Sequence, residues 1–371
     1  MKNEICQIKI NGEEIPDLYQ DMILVEVEND HQLASSFRIK LAIQLQRDGT
    51  WTHVDNEYLR PWNKVEISAG FPDNTIKVIT GYIVHLKPFF AQQIADSYIE
   101  IWGIDKSVVM DREEILKAWP ERKDSDIASE IFSGYGLTPK VDDSGVVHKK
   151  ALSTIIQRDT DIKFLKRLAR RNGYECYIED STGYFRKPAL NGPQQKVLAF
   201  NFGDETNLSN FNAILSVLQP TVVEMYLIDS MTKEVRNVKT DKLEQRQIGK
   251  KLGSDIIAPN IKTSKLCIKN AIATGQTEME ALSKAVYNEA SWLLEGEGQI
   301  NGKLYQEVLR AMRLVSIKGI GKTYSGTYYV THVKHIFDSN GYAQHFKARK
   351  NAIYPDGSED FGSNGSLLVG V

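Results

Sequence analysis

The sequence predicts a mainly β fold with an α+β insertion, and three observations carry that prediction. Residues 4 to 103 read as one strand after another with no helical stretch. From about residue 105 to 195 the texture changes to helix alternating with strand. From 196 to 353 strands return around a single long helix expected over 277–294. The expected organisation is therefore a β domain over 1–104, an α/β connector over 105–195 and a second β domain over 196–353. The end, 354–371, is rich in Gly, Ser and Asp with a small apolar tip, and reads as a flexible tail.

Each element has a local reason. EICQIKI and MILVEVE flank the turn-prone NGEE. In SFRIKLAIQL, Phe37, Ile39, Leu41, Ile43 and Leu45 alternate with polar residues, as in a half-buried strand. KVEISAG, TIKVITGYIVHLKP and SYIEIWGID follow, which points to an antiparallel barrel or sandwich. MDREEILKAW reads as helix, and SDIASEIFSGYGL as a second helix capped by Ser125, with Ile127, Ile131 and Phe132 on its apolar side. Asp159 and Thr160 are caps for a helix whose stripe is Ile162, Leu165, Leu168 and Ala169 and whose exit is Gly173. A hairpin follows, Tyr174 to Ile178 out and Tyr184 to Lys187 back. TVVEMYLID and the restart after SMTKEV are strands, and KTDKLEQRQIGKKLGSDI is a polar surface excursion. In the long helix, Met279, Leu282, Val286, Ala290 and Leu293 form the expected stripe.

Composition narrows the function. The chain has 371 residues, enough for two to three domains, and a formal net charge of −2. No global polycation speaks for nucleic acid. No run has the length of a membrane span, and MKNEICQIKI lacks a signal-peptide core, so synthesis in a reducing cytoplasm is expected. Cys6, Cys176 and Cys267 are far apart, with no metal-ligand spacing. GIGKT at 319–323 has Ser316 where a phosphate-binding loop needs glycine, and it lies between two strands. His332 and His335, three apart on a strand, point to opposite faces and cannot share a metal. The pairs Asp159/Asp161 and Glu113/Glu114 sit at expected helix starts, where they favour the dipole. No nucleophile motif is present. No catalytic residue, cofactor or metal site is expected, and the chain reads as a non-enzyme. Lys163, Lys166, Arg167, Arg170 and Arg171 fill one helix side, which suits solvent or an acidic partner subunit.

The order of these parts resembles the phage late-control protein D family, which includes baseplate hubs of contractile tails and the hub part of type VI secretion spike proteins. The resemblance rests on "FLKRLARRNGYECYIED", on "NKVEISAGF" with "GYIVHLKP", and on the C-terminal series Ile317, Gly319, Gly321, Gly326, Tyr328, Tyr329, Val330, His332, His335, Gly341, Tyr342 and Phe346. It covers about residues 60 to 352. It implies two tube-like antiparallel β-barrels joined by an α/β module. It also implies a structural hub, a homotrimer linking a hexameric inner tube to a separate trimeric spike and other baseplate components. Subunit contacts are then expected at Arg167, Arg170, Arg171, Leu367, Leu368 and Val369. Two other functions fit the residues less well. A tail-associated cell-wall hydrolase needs two carboxylates on a cleft. A carbohydrate-binding adhesin would use aromatics such as Trp51, Tyr58 and Trp62.

Overall fold

The computed structural model describes residues 4–148, 150, 154–228, 233–269, 273 and 275–362. The first part is built of β1 (Ile5–Ile10), β2 (Met22–Asp30), β3 (Ser36–Ala42), β4 (Lys64–Phe71), β5 (Asn74–Phe89) and β6 (Tyr98–Asp105). Phe37, Ile39, Leu41 and Ile43 are all buried, as their alternation requires. Leu45, expected with them, lies beyond the strand and is half exposed. Val25, Val27, Ile67, Ile83 and Ile101 join them in one core.

The connector holds β7 (Glu114–Trp119), α1 (Asp124–Gly134), β8 (Thr138–Val141), β9 (Ile155–Thr160), α2 (Asp161–Asn172), β10 (Glu175–Glu179) and β11 (Thr182–Arg186). The helix expected in MDREEILKAW is corrected. Its first residue, Met110, ends the short helical turn Ser107–Met110, and Glu114–Trp119 is β7, antiparallel to β9. Pairing wins because it buries Trp119, whose Nε1 donates to Gln157 Oε1 at 3.1 Å. Glu113 and Glu114 accordingly serve no helix start. Ser125 does not cap α1 either; the Lys123 amide donates to the Asp126 carboxylate one turn on. Thr160 occupies the N-cap position of α2, but its hydroxyl donates to Asp111. The α2 stripe is buried as expected, with Phe164 added, and Gly173 leaves the helix at φ 67°.

The last part holds β12 (Gln194–Ala199), β13 (Leu208–Leu215), β14 (Val222–Ile228), β15 (Val235–Thr240), β16 (Lys265–Ile268), α3 (Gln276–Ala290), β17 (Leu294–Asn301), β18 (Arg313–Lys318), β19 (Gly326–Asp338) and β20 (Gly341–Lys350). Of the stripe expected on α3, only Met279 is fully buried within the helix, and Leu293 lies past its end. Ser283, Ala285 and Tyr287 are buried instead. The helix is packed on two sides: Ser283 Oγ bonds Thr240 Oγ1 of β15 at 2.8 Å, and Ala285 faces Gly173 at the end of α2. The chain up to Gly362, expected within the flexible tail, packs back onto the last part. Phe361 is buried and its carbonyl accepts from Lys318 Nζ at 2.8 Å.

The main sheet runs β13-β17-β20-β19-β2-β3-β6-β5-β4-β1 and contains an internal repeat. In the first part, β2 to β6 lie in the order β2-β3-β6-β5-β4. In the last, β13 and β17 to β20 lie in the order β13-β17-β20-β19-β18. Both are antiparallel and both place first, second, fifth, fourth and third. Two of their irregularities coincide as well, while the shift between Ile67 and Ser68 has no counterpart between β18 and β19. The register shift between Met22 and Leu24 is matched by that between Leu208 and Asn210. The shift between Ile83 and His85 is matched by that between Val330 and His332. Bulges are specific features of a strand pair, so two coincident bulges mark the units as equivalent. β19 joins them: residues 326–330 pair with β18, and residues 332–337 pair with β2. The sheet is open. Among the described pairings none closes either unit into the expected barrel.

Candidate assembly surfaces

One face of the joined sheet covers two cores, and the other is a polar strip that crosses both units. Alternation sets this up, because every second side chain turns outward. Across the strands the outward residues fall into line: Gln299, His345, Lys334 and Glu28 in one row, then Glu26 and Arg38 in the next, then Lys40 and Glu100. Lys334 Nζ lies 2.9 Å from Glu26 and 3.1 Å from Glu28, and Arg38 Nη2 lies 2.6 Å from Glu26. Arg38 also stacks over Trp102, and Lys40 over Tyr98. Charges of both signs alternate, so the strip is hydrated without a strong field of either sign.

Among the described residues the two ends of the paired units each leave a strand edge free. Beyond Ile83, β5 pairs among the described residues only with β6, and this stretch carries Leu86, Pro88 and Phe89. Likewise β13 pairs among the described residues only with β17, and its outward Ile214 is 63% exposed. Free edges with apolar side chains are templates for another strand.

Buried charges hold the connector together at Asp124 and tie it to the last part at Glu175 and Glu179. Asp124, 2% exposed, accepts from Arg171 Nε at 2.8 Å and Nη2 at 2.7 Å, and from Asn172 Nδ2 at 2.6 Å. His148 Nε2 lies 3.2 Å away. Burial alone would raise the Asp124 carboxyl, but His148, Arg171 and Asn172 outweigh it and hold the group below the usual range. Arg310 and Arg313 close on Glu179 of β10. Glu175 is fully buried; Tyr329 Oη donates to its Oε2 at 2.6 Å. Burial pushes its carboxyl up to about 7, against the pull of Tyr329, Arg349 and Arg186.

The expected contact residues separate. Arg171 is turned inward to Asp124, so it is a structural residue of the connector. Arg167 holds Asp159 at 2.7 Å on the surface, and Arg170 is exposed. Leu367, Leu368 and Val369 lie outside the described residues. GIGKT is the turn between β18 and β19, with Gly321–Tyr324 as one short helical turn. Gly319 is required there: its φ is 83°, and a Cβ would lie 1.9 Å from the Phe200 carbonyl oxygen. His335 is buried against the Tyr342 hydroxyl at 2.8 Å, whereas His332 faces Glu28 on the strip, so the two point apart as expected. Among the described residues no group of three His, Cys, Asp or Glu is placed to hold a metal. The three cysteines are unpaired. No helix of the described residues is long and apolar enough to cross a membrane. Of the aromatics, Trp51 packs on Phe90 and Tyr58 bonds His53; Trp62 is 44% exposed beneath Arg112.

Comparison with known proteins bears on the fold. The family model described as Alg8 N-terminal domain matches residues 2–338. No curated protein matches the sequence. The 43 kDa tail protein of prophage MuSo2 from Shewanella oneidensis is similar in structure, with a TM-score of 0.68 at 13% identity over 95% of this chain and 100% of that one. A tail protein from Neisseria meningitidis MC58 gives 0.63 at 11% identity, over 95% and 98%. The E. coli c3393 protein, a type VI secretion component with structural similarity to the T4 tail proteins gp27 and gp5, gives 0.55 at 12% identity, over 98% and 79%. The chain thus has a fold found in phage tail and type VI secretion proteins.

Proposed function

We propose that this chain, which belongs to the Alg8 N-terminal domain family, is a structural component of a phage tail or related contractile injection machine, and within it the baseplate hub. The observation that carries the reading is the internal repeat: two equivalent five-stranded units lie abreast in one sheet with a continuous polar strip. Three such chains in a ring present six equivalent units while keeping three-fold symmetry. That ring matches a hexameric inner tube on one side and a separate trimeric spike on the other, as the resemblance to the late-control protein D family implies. Each unit becomes tube-like through its neighbours, and the strip lines the passage. The protein would be made in the cytoplasm and assembled into the baseplate, with no bond chemistry of its own. Arg167 and Arg170 on α2 remain contact candidates, as do Leu367, Leu368 and Val369.

The reading is tested by mass photometry of the purified chain with its tube and spike partners. A trimer that binds both is expected. A chain that stays monomeric with both present overturns it.

A further inference from the structure

We propose that β5 of one copy pairs antiparallel with β13 of the next, with Leu86 opposite Leu215, Lys87 opposite Ile214, Pro88 opposite Ala213 and Phe89 opposite Asn212. The partner is a second copy of this chain. The inference rests on the ring proposed above and deepens it from partner to register.

A seam of this kind is already present inside the chain. There β19 of the last unit pairs with β2 of the first: Val333 opposite Asn29, Lys334 opposite Glu28, His335 opposite Val27 and Ile336 opposite Glu26. The repeat gives each of these strands a counterpart. The coincident shifts at Ile83/His85 and Val330/His332 align β5 with β19, so Leu86 stands for Val333 and Pro88 for His335. The shifts at Met22/Leu24 and Leu208/Asn210 align β13 with β2, so Ala213 stands for Val27 and Leu215 for Asn29. In the chain, β19 and β2 meet. Among the described residues their counterparts β5 (beyond Ile83) and β13 each have one unpaired edge. Writing the internal seam onto those edges gives the register above with no adjustable choice.

The side chains agree with it. At the internal seam Val27 and Val333 are 0% exposed and His335 1%. At the free edges the corresponding inward residues are apolar and incompletely covered: Leu86 and Pro88 on β5, Phe211, Ala213 and Leu215 on β13. A one-residue slip would turn these outward, so the register is specified by burial. The outward row differs between the seams. Lys334 meets Glu28 inside the chain, whereas Lys87 would meet Ile214. The external seam is therefore less dependent on charge and less sensitive to salt than the internal one. Pro88 donates no amide, so this seam also has one potential donor fewer.

The test is disulfide trapping in the full chain with Cys6, Cys176 and Cys267 replaced by Ala. Directly opposed residues of an antiparallel pair lie about 4.5–5.5 Å apart at Cα, within disulfide reach. On oxidation, Lys87→Cys with Ile214→Cys is expected to give covalent dimers and trimers on a denaturing gel, and neither single variant should. His85→Cys with Asn212→Cys, on the same face but about 13 Å out of register, should give none. Absence of the first product, or equal yield of the second, overturns the seam. Ile214→Lys, at an exposed position facing Lys87, should leave the monomer's Tm unchanged and weaken the ring about tenfold over its three seams. An unchanged ring overturns the seam. If tube and spike bind but the in-register pair does not cross-link, the register is wrong and the hub reading stands. If the pair cross-links and neither partner binds, the seam stands and the hub reading falls.

Discussion

Glu175 is the residue at which burial and ionisation conflict most clearly. Burial raises it from the usual 4.5 to about 7, against the pull of Tyr329 of β19, Arg349 of β20 and Arg186 of its own hairpin, with Glu289 of α3 adding to the rise. A carboxyl raised in the folded state holds its proton more tightly there than in the unfolded chain. Its stabilising contribution is present at low pH, declines above about 4.5 and is gone by about 7. Glu175→Gln keeps an acceptor for Tyr329 and removes the charge. It should raise stability at pH 8 by up to about 3 kcal/mol and flatten the slope between pH 5 and 7, read by urea unfolding at each pH. An unchanged slope would show that Glu175 does not set it. Asp124 runs the other way. Its carboxyl is held low, so its contribution is present above the usual 3.8 and is lost as pH falls through its lower folded value. Asp124→Ala removes the buried carboxylate that Arg171 and Asn172 bond and leaves Arg171 with Glu278 at 3.5 Å; it should cost about 3 kcal/mol at pH 7, measured by the same unfolding curves.

At the scale of elements, the exit of α2 couples a backbone requirement to a packing one. Gly173 has φ 67°, and a Cβ there would lie 3.1 Å from the Cα of Ala285 on α3. Gly173→Ala should therefore cost about 1–2 kcal/mol from the left-handed conformation and the forced separation of α2 from α3. A thermal melt within 1 °C of the parent would contradict the close approach. This stop was legible in the sequence because its cause is local, as was the α2 stripe. β7 was not legible. Ile115 and Trp119 are four apart and mimic a helix face, yet in the strand both turn inward while Leu116 is 82% exposed. Lys117, on the same side as both, sets its ammonium 3.5 Å over the Trp119 ring and 3.2 Å from Glu130, so a charged side chain breaks the apolar alternation. The stripe of α3 failed for a similar reason: contact on two sides spreads burial around the helix, and Ser283 is buried because Thr240 of β15 accepts or donates to it. The free edges, which carry the proposed contacts, left no sequence signal, because an edge is defined by the pairing a strand lacks. Arg171 looked like its neighbours on the same helix side and differs only in facing Asp124, 47 residues away.

For the whole molecule, the repeat makes the internal seam the element on which cooperativity depends. β19 contributes to both cores: Val333 to that of the last unit, Phe337 to that of the first. Neither unit can lose its part of this strand without exposing apolar surface of the other. The two units are therefore expected to unfold in one calorimetric transition despite having separate cores. Val333→Asp places a charge at a position with 0% exposure, with Asn29 as its cross-strand neighbour. It should break this coupling before it unfolds the first unit, whose strands β3 to β6 retain their own pairings. The expected result is a split into two transitions, the lower one belonging to the last unit, resolved by calorimetry and assigned by the fluorescence of Trp292, which stacks on Tyr329 in that unit. A single transition shifted downward would mean that the units are coupled through the connector, by Glu175 and Glu179, and not through the strand. That outcome would weaken the use of the internal seam as a pattern for the external one, because a seam that does not couple units within a chain has little claim to couple them between chains.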